Sequence, residues 1–207
     1  QEGKQYPMIV HLYELLSQRL NVFTYPSARE TYNMMNFVLQ GYFVFQPDIR
    51  YEINHPGESA ADCVIAAVQE VLKRGDIDSM RLGLLGHSWG AYQAAYIISQ
   101  TPMFAAAVAG AADAGGADRQ RPDHQRRDHK SACRRSGAPL TNMVSMYNSI
   151  YWENGRTNQE MFETGQARFR LPWWEIRDKY VKNSPIFQAQ HIQTPLLMSF
   201  GTDDRAV

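Results

Sequence analysis

Cysteine is nearly missing from this chain. Cys63 and Cys133 are the only two in 207 residues, which excludes a disulfide framework and a zinc-ligand pattern and leaves the redox compartment open. Net charge is also missing, with 21 Lys and Arg balancing 21 Asp and Glu. No whole-molecule field therefore draws the chain to nucleic acid or to an anionic surface. No apolar run approaches the eighteen or so residues that cross a bilayer, so no membrane span is expected. The sequence begins at Gln1 without an initiator methionine, a basic leader or a signal-like apolar stretch, and it stops at Val207 just after an apolar run. Both ends read as cut, and localisation stays open between cytoplasmic and exported.

The length suits one domain with a real core, and the apolar fraction of 44% is that of an ordinary globular protein. Five short apolar runs read as strands buried on both faces: residues 8–13 (MIVHLY), 42–46 (YFVFQ), 81–86 (RLGLLG), 104–110 (FAAAVAG) and 196–200 (LLMSF). Between them lie helix patterns. Residues 57–74 put Val64, Val68, Val71 and Leu72 on one face with Gly75 as a stop, and a second helix runs to Gln100 before Pro102. Strands alternating with helices predict an α/β fold, a mostly parallel sheet with helices on both faces and its chemistry at the carboxyl ends of the strands.

One stretch breaks this texture. From Ala111 to Gly137 there is no Val, Ile, Leu, Met, Phe, Trp or Tyr, and seven basic residues stand against four aspartates, giving +3 there and −3 elsewhere. A segment of this kind cannot feed a core, so residues 112–137 are expected to be a solvated, disordered insertion; without aromatics to stack on bases, nucleic acid is not the expected partner. Downstream, the aromatic-rich segments 142–155 and 168–181 read either as helices packed beside the sheet or as an apolar pocket wall.

Gly86, His87, Ser88, Trp89 and Gly90 spell GxSxG between a buried strand and a small-residue helix. The pattern suits a nucleophile elbow: a serine in a strained backbone, with glycines letting strand and helix approach, and with the Trp89 N–H and helix terminus facing a developing oxyanion. The plain alternative is a strand-to-helix loop with a serine cap. In this architecture the triad order is Ser, then Asp or Glu, then His. Asp203 and Asp204 follow the last strand in GTDDRAV, where they are either the acid or ordinary turn residues. Of His11, His55, His87, His124, His129 and His191, none follows Asp204. His87 adjoins the serine but points away from where a base must stand, so the catalytic histidine is expected beyond Val207.

These residues resemble the C-terminal catalytic domain of the prolyl oligopeptidase family of serine peptidases. The blocks are YPMIVHLY at 6–13, FVFQPDIR at 43–50, GDIDSMRLGLLGHSWGAYQAAY at 75–96, in which Asp78 and Arg81 fall in family order, and TPLLMSFGTDDRAV at 194–207. The resemblance implies an α/β-hydrolase fold with Ser88 as nucleophile and Asp204 as acid, the latter on the spacing Gly201, Asp204, Val207. It implies Tyr13 as the hydroxyl that shares the oxyanion hole with the Trp89 amide, and Leu140, Met143, Met146 and Tyr147 as substrate-pocket residues. It implies no cofactor and no metal. Expected partners are a short peptide substrate, the family's amino-terminal β-propeller and a second copy of the chain. Two departures are an alanine, Ala91, where a third glycine is common, and the polar block, which looks spliced between residues 107–111 and 138–143. The expected function is peptide-bond hydrolysis through an acyl-enzyme, with this stretch alone nearly inactive for want of its histidine. The alternatives are an esterase or lipase of the same fold, separable by ester against anilide hydrolysis, and a noncatalytic binding module.

Overall fold

The computed structural model describes residues 3–27, 32–110, 139–151 and 155–199. The five apolar runs all become strands: β1 (Tyr6–Leu12), β2 (Phe43–Phe45), β3 (Ile77–His87), β4 (Ala106–Gly110) and β5 (Leu196–Ser199). They form one parallel sheet in the order β2-β1-β3-β4-β5. Parallel neighbours need long crossovers, and the helices supply them. The elements α1 (Met34–Leu39), α2 (Pro56–Leu72) and α3 (Trp89–Gln100) separate the first four strands, and α4 (Met143–Tyr147), α5 (Gln159–Glu163) and α6 (Arg177–Lys182) precede the fifth.

Pro56 opens α2 at the first helical position, where its missing N–H costs nothing. The orphan amides of Gly57 and Glu58 donate instead to Oδ1 of Asn183, at 2.8 and 3.3 Å, so a residue just past α6 caps a helix far away in sequence. Val64 and Val68 are fully buried, and Gly75 ends the segment with φ +81. α3 is the central helix, with every residue from Trp89 to Ser99 buried. Its small residues Ala91, Ala94 and Ala95 are buried, and Gly57 lets α2 lie close to it: a Cβ there would sit 2.7 Å from Tyr92 Oη.

Burial of the strands is less uniform than the apolar runs predict. Along β1, Met8, Val10 and Leu12 are buried while Ile9 and His11 between them are only half-buried. On the outer strands among the described residues, Phe43 of β2 and Leu197 and Met198 of β5 are exposed, and Met80 in the first half of β3 is 80% exposed. Faces of a sheet are covered by the helices packed on them, so apolar composition alone does not guarantee that every strand residue is buried.

The aromatic-rich segments fold beside the sheet. Tyr147, Phe162, Phe169 and Tyr180 pack ring against ring, with Phe169 and Tyr180 stacked at 4.0 Å, and all four are buried. The polar block at 112–137, with Cys133, His124 and His129, lies outside the described residues. Cys63 lies on α2, half-buried, with its Sγ 3.6 Å from the Arg50 carbonyl. Among the described residues no helix is long and apolar enough to cross a membrane.

Candidate active site

The turn between β3 and α3 carries the strain expected of an elbow. Ser88 has φ 56 and ψ −117, a conformation that side-chain-bearing residues avoid. Its side chain makes no capping hydrogen bond to the helix, which rules out the plain reading of a serine cap. The flanking glycines are sterically required. A Cβ on Gly86 would lie 2.0 Å from the Gly90 carbonyl oxygen, and a Cβ on Gly90 would lie 2.3 Å from the carbonyl oxygen of Leu12. The chain thus folds back on itself and presses against the end of β1. Ser88 is half-buried, and the backbone donors of Trp89 and Gly90 precede the first helical bonds, which Ala91 and Tyr92 make to the Ser88 carbonyl at 2.9 and 3.2 Å.

The same contact places Tyr13. Its Cα would be 3.7 Å from a Cβ on Gly90, so the residue after β1 lies beside the elbow. Register extends this edge across the sheet. Leu12 pairs with Gly86, His87 with Gly110, and Gly110 with Ser199, so β1, β3, β4 and β5 end level with one another. The chain leaves β5 at the edge where Ser88 stands, about 10 Å to the side by two strand spacings. Asp203 and Asp204 themselves lie outside the described residues.

Four histidines are described, and each is engaged. His55 Nδ1 is 2.6 Å from Glu58 and its Nε2 is 2.9 Å from Lys179 Nζ. Since the ammonium can only donate, the neutral ring carries its proton on Nδ1. His191 ends a 3-10 helix. His87 faces Tyr32, with ring centroids 5.2 Å apart, and Tyr32 in turn donates to the Gly110 carbonyl at 2.9 Å. His11 accepts from Gln46 Nε2 at 2.9 Å. Burial, and secondarily the His87 ring, lower its pKa from 6.5 to about 4. The unfolded chain takes up this proton near pH 6.5 and the folded chain only near 4. Stability from the neutral ring is therefore complete above 6.5 and is lost as pH falls towards 4, by up to about 3 kcal/mol. Urea unfolding at about pH 7 and about pH 4.5 checks this: His11→Gln is expected to flatten the acid-side fall by that share.

The four expected pocket residues are buried: Leu140 is 8% exposed, Met146 7%, Tyr147 1% and Met143 0%. Met143 and Tyr147 belong to the packed core, with Tyr147 edge-on to Phe162, Trp174 and Tyr180 and donating to Glu163. Asp78 and Arg81, noted for their order, form a surface ion pair at 2.6 Å far from the elbow end of β3. A cavity of 570 Å³ opens beside His11, Tyr32, Phe23 and Met35, but neither Ser88, Tyr13 nor Trp89 lines it. One participant went unforeseen. Tyr51, in the loop after β2, accepts a hydrogen bond from Trp89 Nε1 at 3.2 Å. No spacing or pattern in the sequence marks it.

Residues 30–114, which include the elbow, match the prolyl oligopeptidase family. The chain is 27% identical over 140 residues to a probable chloroplastic glutamyl endopeptidase of Arabidopsis thaliana, covering 67% of this chain and 10% of that protein. Among solved structures it superposes on the Pyrococcus horikoshii acylaminoacyl peptidase with a TM-score of 0.58 at 17% identity, over 95% of this chain and 27% of that one. Against Porphyromonas gingivalis dipeptidyl peptidase 4 the TM-score is 0.60 at 20% identity, over 95% and 23%. The chain spans about a tenth of the curated relative and about a quarter of these structures. The fold is that of the α/β-hydrolases, and the resemblance to the prolyl oligopeptidase family is borne out.

Proposed function

We propose, from the likeness to the prolyl oligopeptidase family and from the strained serine of the elbow, that this chain is part of a serine peptidase cutting short peptides. Ser88 Oγ attacks the scissile carbonyl carbon while a histidine following Asp204 in chain order takes the hydroxyl proton. Asp204 holds that imidazole in the right tautomer and stabilises its charged form. The carbonyl oxygen becomes an oxyanion, met by the Trp89 N–H and the Tyr13 hydroxyl; a phenol suits the task because it donates without ionising near neutral pH. The histidine then returns its proton to the leaving amine, and water hydrolyses the acyl-enzyme by the same route.

The observation that carries this reading is the backbone of Ser88. A strained, uncapped serine between two glycines that cannot be anything else has no structural use there. The level strand ends support Asp204, and the contact of Gly90 with the Leu12–Tyr13 backbone supports Tyr13. The relatives are all named as peptidases, with different prefixes. Reacting the full-length protein with a fluorophosphonate and mapping the adduct by mass spectrometry is expected to find it on the peptide containing Ser88. Absence of label there, or label on another serine alone, overturns the proposal. Turnover of aminoacyl anilides is expected; hydrolysis of p-nitrophenyl esters alone would make the protein an esterase.

A further inference from the structure

Tyr51 touches both residues that supply the proposed oxyanion donors. Its phenol oxygen accepts from the indole Nε1 of Trp89 at 3.2 Å and from the amide Nε2 of Gln93, and it donates to the backbone carbonyl of Tyr13 at 3.4 Å. A phenol has one hydrogen to give and two lone pairs to offer, so this one is fully used. Burial raises its pKa, so the hydrogen stays in place over the working pH range.

The ring is held as firmly as the hydroxyl. The Arg168 guanidinium lies over its face, with Cζ 4.3 Å from the centroid, and the same guanidinium forks onto Glu14, Nη1 to Oε1 at 3.1 Å and Nη2 to Oε2 at 3.4 Å. Glu14 directly follows Tyr13, and its carbonyl accepts from Ile49 N at 3.0 Å. Arg168 has φ 59, unusual for a side-chain-bearing residue, and its carbonyl accepts from Asn54 N at 3.1 Å. Three chain segments, 13–14, 49–54 and 168, thus converge on one aromatic ring whose oxygen grips the first turn of α3.

We infer that Tyr51 is a positioning residue, resting on the proposed roles of Ser88, Tyr13 and Trp89: by tying the Tyr13 carbonyl to the Trp89 side chain it sets the spacing of the two oxyanion donors. It touches no reacting atom. Its work is to keep the strand-end loop and the helix start in one geometry while charge develops on the substrate oxygen, where a displacement of an ångström is costly.

The test uses the full-length protein. Tyr51→Phe keeps the ring and its stacking and removes the hydroxyl. It is expected to lower kcat on an aminoacyl anilide about tenfold or more while KM stays within about twofold. A peptide aldehyde, whose hemiacetal oxygen occupies the oxyanion position, is expected to bind more weakly by the same factor. A tyrosine that only packs would lower thermal stability without this split. Arg168→Asn, which tolerates positive φ and removes the guanidinium, is the second variant and is expected to lower kcat in the same direction by a smaller factor. If fluorophosphonate labels Ser88 in the parent protein and both variants keep the parent kcat and aldehyde affinity, the inference is overturned and the peptidase reading stands. If the parent does not label at Ser88, the peptidase reading fails first and the inference falls with it. Should Tyr51→Phe not fold, the Arg168→Asn kcat decides.

Discussion

Ser88→Gly in the full-length protein is expected to abolish turnover, by roughly 10⁶-fold in kcat as for other serine hydrolases that lose their nucleophile, and to make the protein more stable. Both effects come from the same atoms. The hydroxyl is the proposed nucleophile, and the Cβ that carries it forces φ 56 and ψ −117 onto a residue that resists them. Such strain costs about 1–3 kcal/mol, and glycine relieves it while giving back about 0.5–1 kcal/mol in unfolded-chain entropy. The net gain is about 1 kcal/mol, readable as a shift in the urea midpoint at constant slope. Ser88→Ala is the control, equally inactive but still strained, and expected to match the parent in stability. A glycine variant less stable than the alanine variant would mean that the turn is not strained in the way the backbone angles say.

Gly86→Ala and Gly90→Ala are expected to cost the fold about 3 kcal/mol or more each and to remove fluorophosphonate labelling. The new methyl groups would meet carbonyl oxygens at 2.0 and 2.3 Å. Both obstacles are backbone, so no side chain can swing aside, and relief requires parting β3 from α3 or α3 from β1. The chain contains its own comparison. Gly83→Ala meets the far end of the Ile9 side chain at 2.8 Å, which can rotate away, and is expected to be milder. Gly75→Ala meets nothing within 4 Å and pays only for its φ of +81, about 1 kcal/mol. Thermal or chemical unfolding of the four variants should rank them in that order; equal losses at Gly75 and Gly90 would contradict the close approach of helix and strand.

Much of this arrangement was legible because it depends on local pattern. Each of the five apolar runs became a strand, since short β-rich runs alternating with helix patterns have few other ways to bury themselves. The elbow was legible for a related reason: glycine, serine and glycine at that spacing, between a strand and a helix, leave few backbone solutions. Strand cover was not. Leu197 looks as buried as Leu84 in one dimension, and only the sheet order among the described residues shows one on an outer strand and the other at the centre. The packing of the aromatic segments was not legible either. Composition could not say whether Met143 and Tyr147 faced a substrate or each other's neighbours, because a pocket wall and a core are built from the same side chains.

By itself the sequence determined the α/β alternation and the strained serine turn, because these are set by contacts among near neighbours in the chain. Only the tertiary structure decided that β1, β3, β4 and β5 end level at one edge and that Gly90 rests on the Leu12 carbonyl. It alone joined Tyr51, 37 positions before the serine, to the first turn of the helix that follows it. Contacts of that kind are made between segments whose separation along the chain carries no period, and a hydrogen bond across such a gap leaves no mark in residue order.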